Sequence, residues 1–268
     1  MNLGPFAQNN RQFYLIQLQY LGFRFHGWQK QPNNIPTVER MVSRTLRYVF
    51  DHSNFKVLAA GRTDAKVSVN ETWMELFLDD SKELEMERFL VDFNQNLPSD
   101  IKALKVKKTD KDFNIIQAPK IKEYIYLFSH GEKFHPFCAS MMVYMKETLD
   151  LELMKKAAQL FEGTHDFWSY TYKPSETTET NVTIESCLIE NNELFTASFF
   201  PAESFIFRVR GKGFKRHQVR LMMGMLFDLG MHKFTLDEFK ETLDGSLHLH
   251  LSHIAPPSGL MLYKNDFI

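Results

Sequence analysis

Hydrophobic and polar positions alternate in several segments of this chain and recur at helical spacing in others. Residues 12–20 alternate as a strand, with apolar side chains on one face from Tyr14 to Tyr20. Thr37 is placed to cap a helix that ends near Phe50, because apolar residues follow it at helical spacing. The same patterns predict further strands at 55–60, 72–78, 101–107, 122–129, 183–190 and 204–210.

Further helices are predicted at 82–94, from the cap Asp150 to Gly163, at 214–229 before Gly230, and from the capping box Thr235-x-x-Glu238 to Gly245. The order strand, helix, strand, strand, helix, strand recurs along the chain. This order predicts an α+β fold in which two similar α/β halves share a mostly antiparallel central sheet, with flanking helices and a cleft between the halves. We place the halves at residues 1–112 and 113–268.

Composition narrows the class of protein. The chain has 268 residues, enough for one large domain or two smaller ones. Cys138 and Cys187 are its only cysteines and are far apart, which disfavours a disulfide scaffold or a zinc knuckle and fits a reducing compartment. Residues 1–10 lack the pattern of a signal peptide, and no apolar run approaches the roughly 18 residues of a membrane span. We therefore expect a cytoplasmic protein with no membrane partner.

Charge is segregated along the chain although the net charge is only −1. The segment 205–220 contains basic residues and no acidic residue: Arg208, Arg210, Lys212, Lys215, Arg216 and Arg220. Acidic residues concentrate instead at 75–92. Such segregation produces a local positive field that is suited to RNA, whereas the alternative is a solvated stripe without a ligand.

A short loop carries the strongest chemical signal. Ala60-Gly61-Arg62-Thr63-Asp64-Ala65 follows an apolar run and places one carboxylate after an arginine and a small polar residue. A Gly-containing turn at the end of a strand holds a loop on a rigid support, where catalytic groups often lie. Asp64 is therefore the candidate catalytic residue.

Other segments join this loop in a fixed order: Tyr20-x7-Trp28-Gln29, Asn96-Leu97-Pro98-Ser99-Asp100-Ile101, Lys122-x-Tyr124-x-Tyr126, Gly163-Thr164-His165-Asp166-Phe167, Gly213-Phe214-x2-His217-Gln218-Val219-Arg220 and Ala255-Pro256-Pro257-Ser258-Gly259-Leu260. The set resembles the tRNA pseudouridine synthase A (TruA) family over nearly the whole chain. Its most specific part is Gly-Arg-Thr-Asp together with the distant Phe-x2-His-x-Val-Arg.

The resemblance implies a pseudouridine synthase fold and an isomerase that converts uridine to pseudouridine in tRNA, in the anticodon stem-loop, with no cofactor and no metal. It also implies a homodimer. Asp64 matches the essential carboxylate, which either adds covalently to the nucleoside or removes a ribose proton. Tyr124 matches the tyrosine that stacks on the target base, and Arg220 matches the arginine that pairs with the aspartate. Arg62 matches a residue that enters the stack left by the flipped uridine.

The predicted RNA-binding residues are the cations of the segment 205–216, with Arg62, Lys66 and His217. The chain departs from the family pattern at Lys66-Val67-Ser68, where Gly-Val-His is usual, and at Ile116, which aligns with an arginine. Lys66 either contacts phosphate or narrows the range of substrates. These departures indicate either a synthase with a different RNA substrate or ordinary divergence with the usual target.

Two other classes of function remain to be weighed. One is a non-catalytic RNA-binding protein on a synthase fold, in which Asp64 would be dispensable. The other is a metal hydrolase that uses His248, His250 and His253 with Asp244, because His248-x-His250 puts both rings on one face of a strand. The joint presence of Asp64, Tyr124 and Arg220 favours the synthase over the non-catalytic protein. The metal site is disfavoured because the histidines directly precede Ala255-Pro256-Pro257 and a His-rich edge is commonly just solvated.

Overall fold

The structure is a computed structural model that describes residues 11–80, 82–118 and 120–267. It divides into two compact units, one made of the described residues up to 118 with Phe267, the other of Lys120–Asp266. Helices and mostly antiparallel strands alternate in both units, which confirms the predicted α+β class. The domain boundary between residues 112 and 113 stays a prediction, and the expectation for residues 1–10 lies outside the described residues.

The first unit is built on a strand that two neighbours flank. Its elements are β1 (Arg11–Tyr20), α1 (Val38–Phe50), β2 (Phe55–Ala59), β3 (Ser68–Asp79), α2 (Met86–Asn96) and β4 (Ile101–Thr109). Strand β1 pairs antiparallel with both β3 and β4, and β2 pairs antiparallel with β3. Tyr14, Ile16 and Leu18 of β1 are fully buried, as their alternation predicts.

Helix α1 forms where the sequence predicts it. The Thr37 hydroxyl accepts a hydrogen bond from the Arg40 backbone N–H at 3.4 Å, which satisfies one of the otherwise unpaired donors of the first turn. Val38, Val42 and Leu46 are fully buried on one face, so the helix is held by its apolar stripe.

The second unit contains β5 (Lys120–His130), β6 (Val143–Met145), α3 (Leu151–Gln159), β7 (Gly163–Asp166), β8 (Asn181–Asn191), β9 (Phe205–Gly211), α4 (Gln218–Gly230), α5 (Leu236–Glu241) and β10 (Leu260–Phe267), the last residue of which belongs to the first unit. Its strands lie in the order β10, β5, β9, β8, β7. The pairs β5–β9, β9–β8 and β8–β7 are antiparallel, and β6 pairs parallel with β5.

Some predicted boundaries are wrong for identifiable reasons. Helix α4 begins at Gln218 rather than near 214, because His217 has a left-handed backbone with φ of 59° that no α-helix accommodates. Helix α3 ends at Gln159, and Gly163, with φ of 102°, opens β7. Helix α2 starts later than predicted, and β6, β7 and β10 were not predicted.

Other local predictions are confirmed. In α5 the Thr235 hydroxyl accepts from the Glu238 backbone N–H, and the Glu238 carboxylate accepts from the Thr235 backbone N–H, which completes the capping box. Cys138 and Cys187 are both free thiols in buried positions. Among the described residues, the helices are too short or too polar for any of them to span a bilayer.

Candidate active site

The loop that carries Asp64 joins β2 to β3 in the first unit. The start of this loop is held to the sheet, because the Ala60 backbone N–H donates to the Trp73 carbonyl of β3 at 2.9 Å. A turn then closes where the Val67 N–H donates to the Asp64 carbonyl at 3.3 Å. Asp64 is half-buried within this turn, and Arg62 is exposed two residues before it.

A second loop, residues 21–28, supports the Asp64 loop through backbone contacts. The Lys66 N–H donates to the Phe25 carbonyl at 2.9 Å, and the Trp28 N–H donates to the Thr63 carbonyl at 3.2 Å. The two chains approach so closely that a Cβ on Gly27 would lie 2.6 Å from the Thr63 carbonyl oxygen. A Cβ on Gly22 would lie 2.0 Å from the carbonyl oxygen of Val67. Glycine at both positions is therefore required for this packing.

Side chains fix the same junction. The hydroxyls of Tyr20 and Thr63 are 2.8 Å apart and hydrogen-bonded, and the Ser68 hydroxyl accepts from the Gly22 N–H at 3.0 Å. The sequence marks Tyr20 and Trp28 as notable without giving them a role. In the structure the Tyr20 hydroxyl and the Trp28 backbone N–H both bind Thr63, next to Asp64, which makes Tyr20 and Trp28 candidate positioning residues that sequence reasoning missed. Ser68, a departure from the family pattern, is buried and joins the two loops.

Lys66 adopts a left-handed backbone conformation with φ of 65°. Glycine is the residue that takes this conformation without steric cost, which gives a physical reason for the glycine that the family pattern has at this position. The side chain of Lys66 is exposed, and its Nζ lies 5.7 Å from the centre of the Phe23 ring. The lysine is thus held beside the Asp64 loop on an aromatic support.

In the second unit, Tyr124 lies on β5 opposite Val209 of β9, half-buried, with its ring edge-on to Phe214 at 5.2 Å. Because side chains alternate along a strand, Lys120 and Lys122 share its face of the sheet. Burial lowers the pKa of Lys122, and the positive charge of Lys120 lowers it further. Lys122 is a candidate site residue, marked in the sequence by its place two residues before Tyr124 and by its alignment with a position where the family tends to carry arginine.

Tyr126, the next tyrosine on that face, is fully buried and has a structural role. Its hydroxyl donates to the Pro256 carbonyl at 2.8 Å, and burial raises its pKa far above the ordinary value. A Cβ on Gly259 would approach this ring at 2.8 Å. The Ala-Pro-Pro-Ser-Gly segment of the sequence thus packs against β5 and leaves Tyr124 as the more accessible tyrosine of the strand.

Arg220 lies in the first turn of α4 and is held by Ala255. Its Nε donates to the Ala255 carbonyl at 2.8 Å, and the Ala255 N–H donates to the Arg220 carbonyl at 3.1 Å. A Cβ on Gly224, one turn further along α4, would lie 1.9 Å from the His253 carbonyl oxygen. This close packing of α4 against the segment at His253 fixes the position from which the Arg220 side chain extends.

The basic segment divides into two parts. Arg208 binds the carboxylates of Glu123 on β5 and Glu190 on β8, and Arg210 Nε donates to Glu185 of β8 at 3.1 Å. These carboxylates belong to neighbouring strands. They could not be predicted from the segment itself, which contains no acidic residue. The predicted RNA contacts of Arg208 and Arg210 therefore compete with ion pairs, although RNA binding by both stays a prediction.

The second part of the segment surrounds Tyr172. The Arg216 guanidinium lies 4.9 Å from the centre of the Tyr172 ring, and the rings of His217 and Tyr172 are 4.6 Å apart. Lys212 is exposed and Lys215 half-buried in the same loop. This loop and Tyr172, which lies between β7 and β8, present cations and an aromatic ring together, an arrangement used to stack bases and bind phosphates in RNA.

The histidines proposed for a metal site have other contacts. His248 Nε2 is 3.0 Å from Asp166 Oδ2 and its ring stacks on Trp168 at 4.6 Å, while His253 Nδ1 is 3.0 Å from Asp228 Oδ1. Within the part of the chain that the structure describes, no three His, Cys, Asp or Glu side chains are grouped to hold a metal ion. The described residues therefore contain no metal centre of the kind that the metal-hydrolase hypothesis requires.

Comparison with known proteins identifies the class of enzyme. A family profile described as tRNA pseudouridine synthase matches residues 157–267. Relatives called tRNA pseudouridine synthase A extend the similarity over nearly the full chain. The one from Dictyoglomus thermophilum is 30% identical over 94% of this chain and 98% of its own. Those from Thermosipho melanesiensis and Limosilactobacillus reuteri are 32% and 31% identical, over 94% and 95% of this chain and 98% and 96% of theirs.

The chain belongs to the tRNA pseudouridine synthase A family, and it is accordingly an isomerase. The family assignment made from its motifs is confirmed. Asp64 lies in the first unit, and Tyr124 and Arg220 lie in the second. Their joint action in one site stays a prediction.

Proposed function

We propose that this enzyme isomerises uridine to pseudouridine in the anticodon stem-loop of tRNA, with Asp64 as the essential carboxylate. The observation that carries the proposal is the loop built around Asp64. Backbone bonds from Trp28 and Lys66 and the Tyr20 hydroxyl fix its conformation on the end of β2. The chain as a whole is about 30% identical to a relative named tRNA pseudouridine synthase A, which supports the same activity here.

The reaction needs no external reactant. The bond between ribose C1′ and uracil N1 breaks, the uracil turns, and a bond forms between C1′ and C5. The C5 hydrogen leaves as a proton and N1 gains one, so atoms and electrons balance. One carboxylate suffices because uracil is both leaving group and returning nucleophile. Asp64 adds covalently to the nucleoside or removes a ribose proton, and both routes require it ionised.

Other residues have supporting roles in this proposal. Arg220 supplies a positive charge that pairs with the aspartate and orients it. Its base is anchored on Ala255, which favours a defined guanidinium position. Tyr124 stacks on the target base and assists removal of the C5 proton. Arg62, exposed beside Asp64, fills the space that the flipped uridine leaves, and so offsets part of the few kcal/mol that flipping costs.

The decisive experiment is tritium release from unmodified tRNA that carries tritium at uridine C5. Wild-type protein is expected to release tritium, because isomerisation replaces the C5 hydrogen, whereas Asp64→Ala and Asp64→Asn release none. Circular dichroism of both variants controls for folding. Release by the variants at the wild-type rate would remove Asp64 from the chemistry. A wild type that binds tRNA without release would indicate either a different RNA substrate or the non-catalytic binding protein, and pseudouridine mapping in total RNA distinguishes the two.

The target uridines are a separate question, because Lys66 and Ile116 depart from the family pattern. Mapping of pseudouridines in total RNA from a deletion strain answers it. We expect losses confined to the anticodon arm of tRNA. Losses in another RNA, with the anticodon arm still modified, would show that this synthase has a different substrate.

We further propose that the enzyme acts as a cytoplasmic homodimer. The near-neutral chain, with a net charge of −1, concentrates its cations in local patches. Two such patches, one on each subunit, would supply the positive surface that one tRNA needs.

A further inference from the structure

A cavity of about 430 Å³ in the first unit lies between α1, β2 and the chain that follows Trp28. We call it the α1–β2 groove. Basic side chains line it from each of these elements and from the Asp64 loop: Lys30, Arg47, Lys56 and Arg62. All of these side chains are exposed. The groove is thus a second concentration of positive charge, separate along the chain from the basic segment 205–220.

The cations of the groove are poorly neutralised. Among the described residues that line it, Glu39 is the only acidic one. Its carboxylate accepts hydrogen bonds from the Lys30 backbone N–H and the Gln29 side-chain amide, both at 2.8 Å. Within the described part of the chain, none of the four cations forms an ion pair. A polyanion that enters the groove therefore meets positive charges that are not paired with a carboxylate of the described residues.

The lining between the cations suits a sugar–phosphate chain. Val57, Leu58 and Ala59 of β2 are half-buried and give an apolar wall, while Ser43 and Ser53 add hydroxyls. Apolar wall, hydroxyl donors and several separate cations match the alternating ribose and phosphate groups of RNA. A single carboxylate ligand would need one cation rather than four.

We propose that the α1–β2 groove binds the phosphodiester backbone of the substrate RNA next to the target uridine, through Lys30, Arg47 and Lys56. The inference rests on the proposed function, because Arg62 lines the groove and stands two residues before Asp64. A strand of RNA whose uridine reaches Asp64 continues past Arg62 into this groove.

Ile116 offers a gain-of-function test. It lines the groove and is 63% exposed, an unusual setting for a large apolar side chain. Ile116→Arg would add a cation where the family pattern has arginine, so tighter binding of tRNA and a steeper dependence on salt are expected. Ile116→Gln is the matched control, since it is polar but uncharged. Equal affinities of the two variants would count against the groove.

The loss-of-function test is a triple variant, Lys30→Gln, Arg47→Gln and Lys56→Gln, compared with Arg44→Gln, Lys82→Gln and Lys111→Gln. The control removes the same charges from exposed positions outside the groove. Binding of unmodified tRNA is measured across salt concentrations. The groove variant should bind about tenfold or more weakly near 0.15 M salt, and its slope of log K against log salt should fall by about 2 relative to the control. Matching slopes for the two triple variants would overturn the proposal.

A cross-linking experiment locates the RNA independently. Cys138 and Cys187 are buried, so a cysteine introduced at Ser43 or Ser53 is the accessible thiol for a photoreactive aryl azide. Cross-links to tRNA within a few nucleotides of the target uridine are expected from both positions. The control, Ser99→Cys, is exposed and outside the groove and should give background only.

The results separate this inference from the proposed function. Tritium release by the wild type, with groove variants that match their controls, would refute the groove alone. Groove-dependent binding and cross-linking without tritium release would refute the catalytic proposal alone. Equal protection of the introduced cysteines by polyglutamate and by tRNA would show a general polyanion or acidic-protein site and would overturn the assignment to RNA.

Discussion

At the scale of single residues, Lys66 combines a backbone cost with an exposed charge beside Asp64. A left-handed conformation costs an L-residue roughly 1–2 kcal/mol relative to the right-handed form, whereas glycine adopts it freely. Lys66, with φ of 65°, therefore reduces stability at a position where a charge can reach RNA. This opposition of stability and binding can be measured.

Lys66→Gly is expected to raise the free energy of unfolding by about 0.5–1 kcal/mol, because relief of the left-handed cost exceeds the added entropy of the unfolded chain. The same change should raise KM for tRNA, because a cation beside the site is lost. Urea unfolding and steady-state kinetics check both. Lys111→Gly, at an exposed position without positive φ, should lower stability instead. A Lys66→Gly enzyme with unchanged KM would remove Lys66 from RNA binding.

Glu75 is a buried carboxyl group that makes stability depend on pH. It is 1% exposed, and its Oε2 accepts from the Ile115 N–H at 3.2 Å. Burial raises its pKa above 4.5, with partial opposition from this hydrogen bond. The folded state therefore holds a proton that the unfolded state releases, so this contribution to stability is complete below pH 4.5 and is lost as pH rises through the raised pKa.

Glu75→Gln should abolish this contribution to the pH dependence, because the amide is neutral at every pH and its oxygen can still accept from Ile115. The free energy of unfolding of the variant relative to that of the wild type is expected to rise as pH increases from 4.5 to 7, because only the wild type loses stability as its carboxyl group ionises. Urea unfolding between these pH values measures it. The exposed Glu132→Gln is the control and should show no such trend. A constant difference across this range would contradict the assignment to Glu75.

At the scale of elements, close backbone contact positions both candidate catalytic regions. Gly22 and Gly27 let one loop lie against the Asp64 loop, and Gly224 lets α4 lie against the chain at His253. In each case the position of a functional side chain is set by main-chain atoms of a different segment. Such contacts leave little room to adapt, so added atoms should displace the functional group.

Gly224→Ala tests this at Arg220. The new Cβ would lie 1.9 Å from the His253 carbonyl oxygen, so helix and chain must separate and the Arg220–Ala255 bonds must shift. We expect a loss of about 1–3 kcal/mol in stability. We expect kcat to fall about tenfold or more, because small displacements of a catalytic group slow the chemical step. Kinetics are measured at a temperature where circular dichroism shows the variant folded.

Gly213→Ala is the matched control, since a Cβ there meets nothing within 4 Å and its φ is not positive. It should leave stability near that of the wild type. If Gly224→Ala keeps full kcat while losing stability, the contact serves the fold alone and Ala255 does not position Arg220.

At the scale of the whole molecule, the sum of charges hides their distribution. A net charge of −1 would not suggest a nucleic-acid enzyme, yet the segment 205–220 and the α1–β2 groove each concentrate cations. Local potential rather than net charge governs the approach of a polyanion. RNA binding should therefore be steeply salt-dependent in spite of the near-neutral chain.

A homodimer should have about twice the 31.5 kDa mass of one chain. Sedimentation equilibrium at working concentrations, with and without tRNA, measures this. Dimer mass in the absence of tRNA is the expected result. A monomeric mass in both conditions would contradict the proposed assembly, without bearing on the tritium assay.

Local sequence alone determined the buried face of β1, the caps of α1 and α5 and the identity of the Asp64 loop. Each depends on neighbours within a few residues, through side-chain alternation, capping hydrogen bonds or a contiguous motif. The family followed from the same motifs taken in order. These features could be predicted because steric and hydrogen-bonding rules of short range decide them.

Tertiary structure alone decided the rest. Arg208 and Arg210 appear unopposed in the sequence, but Glu123, Glu190 and Glu185 come to them from neighbouring strands. The left-handed backbone of His217 moves the start of α4 to Gln218. The α1–β2 groove is lined by cations from separate segments of the chain. Which segments become neighbours depends on how the strands pair and the core packs, and no local pattern contains that information.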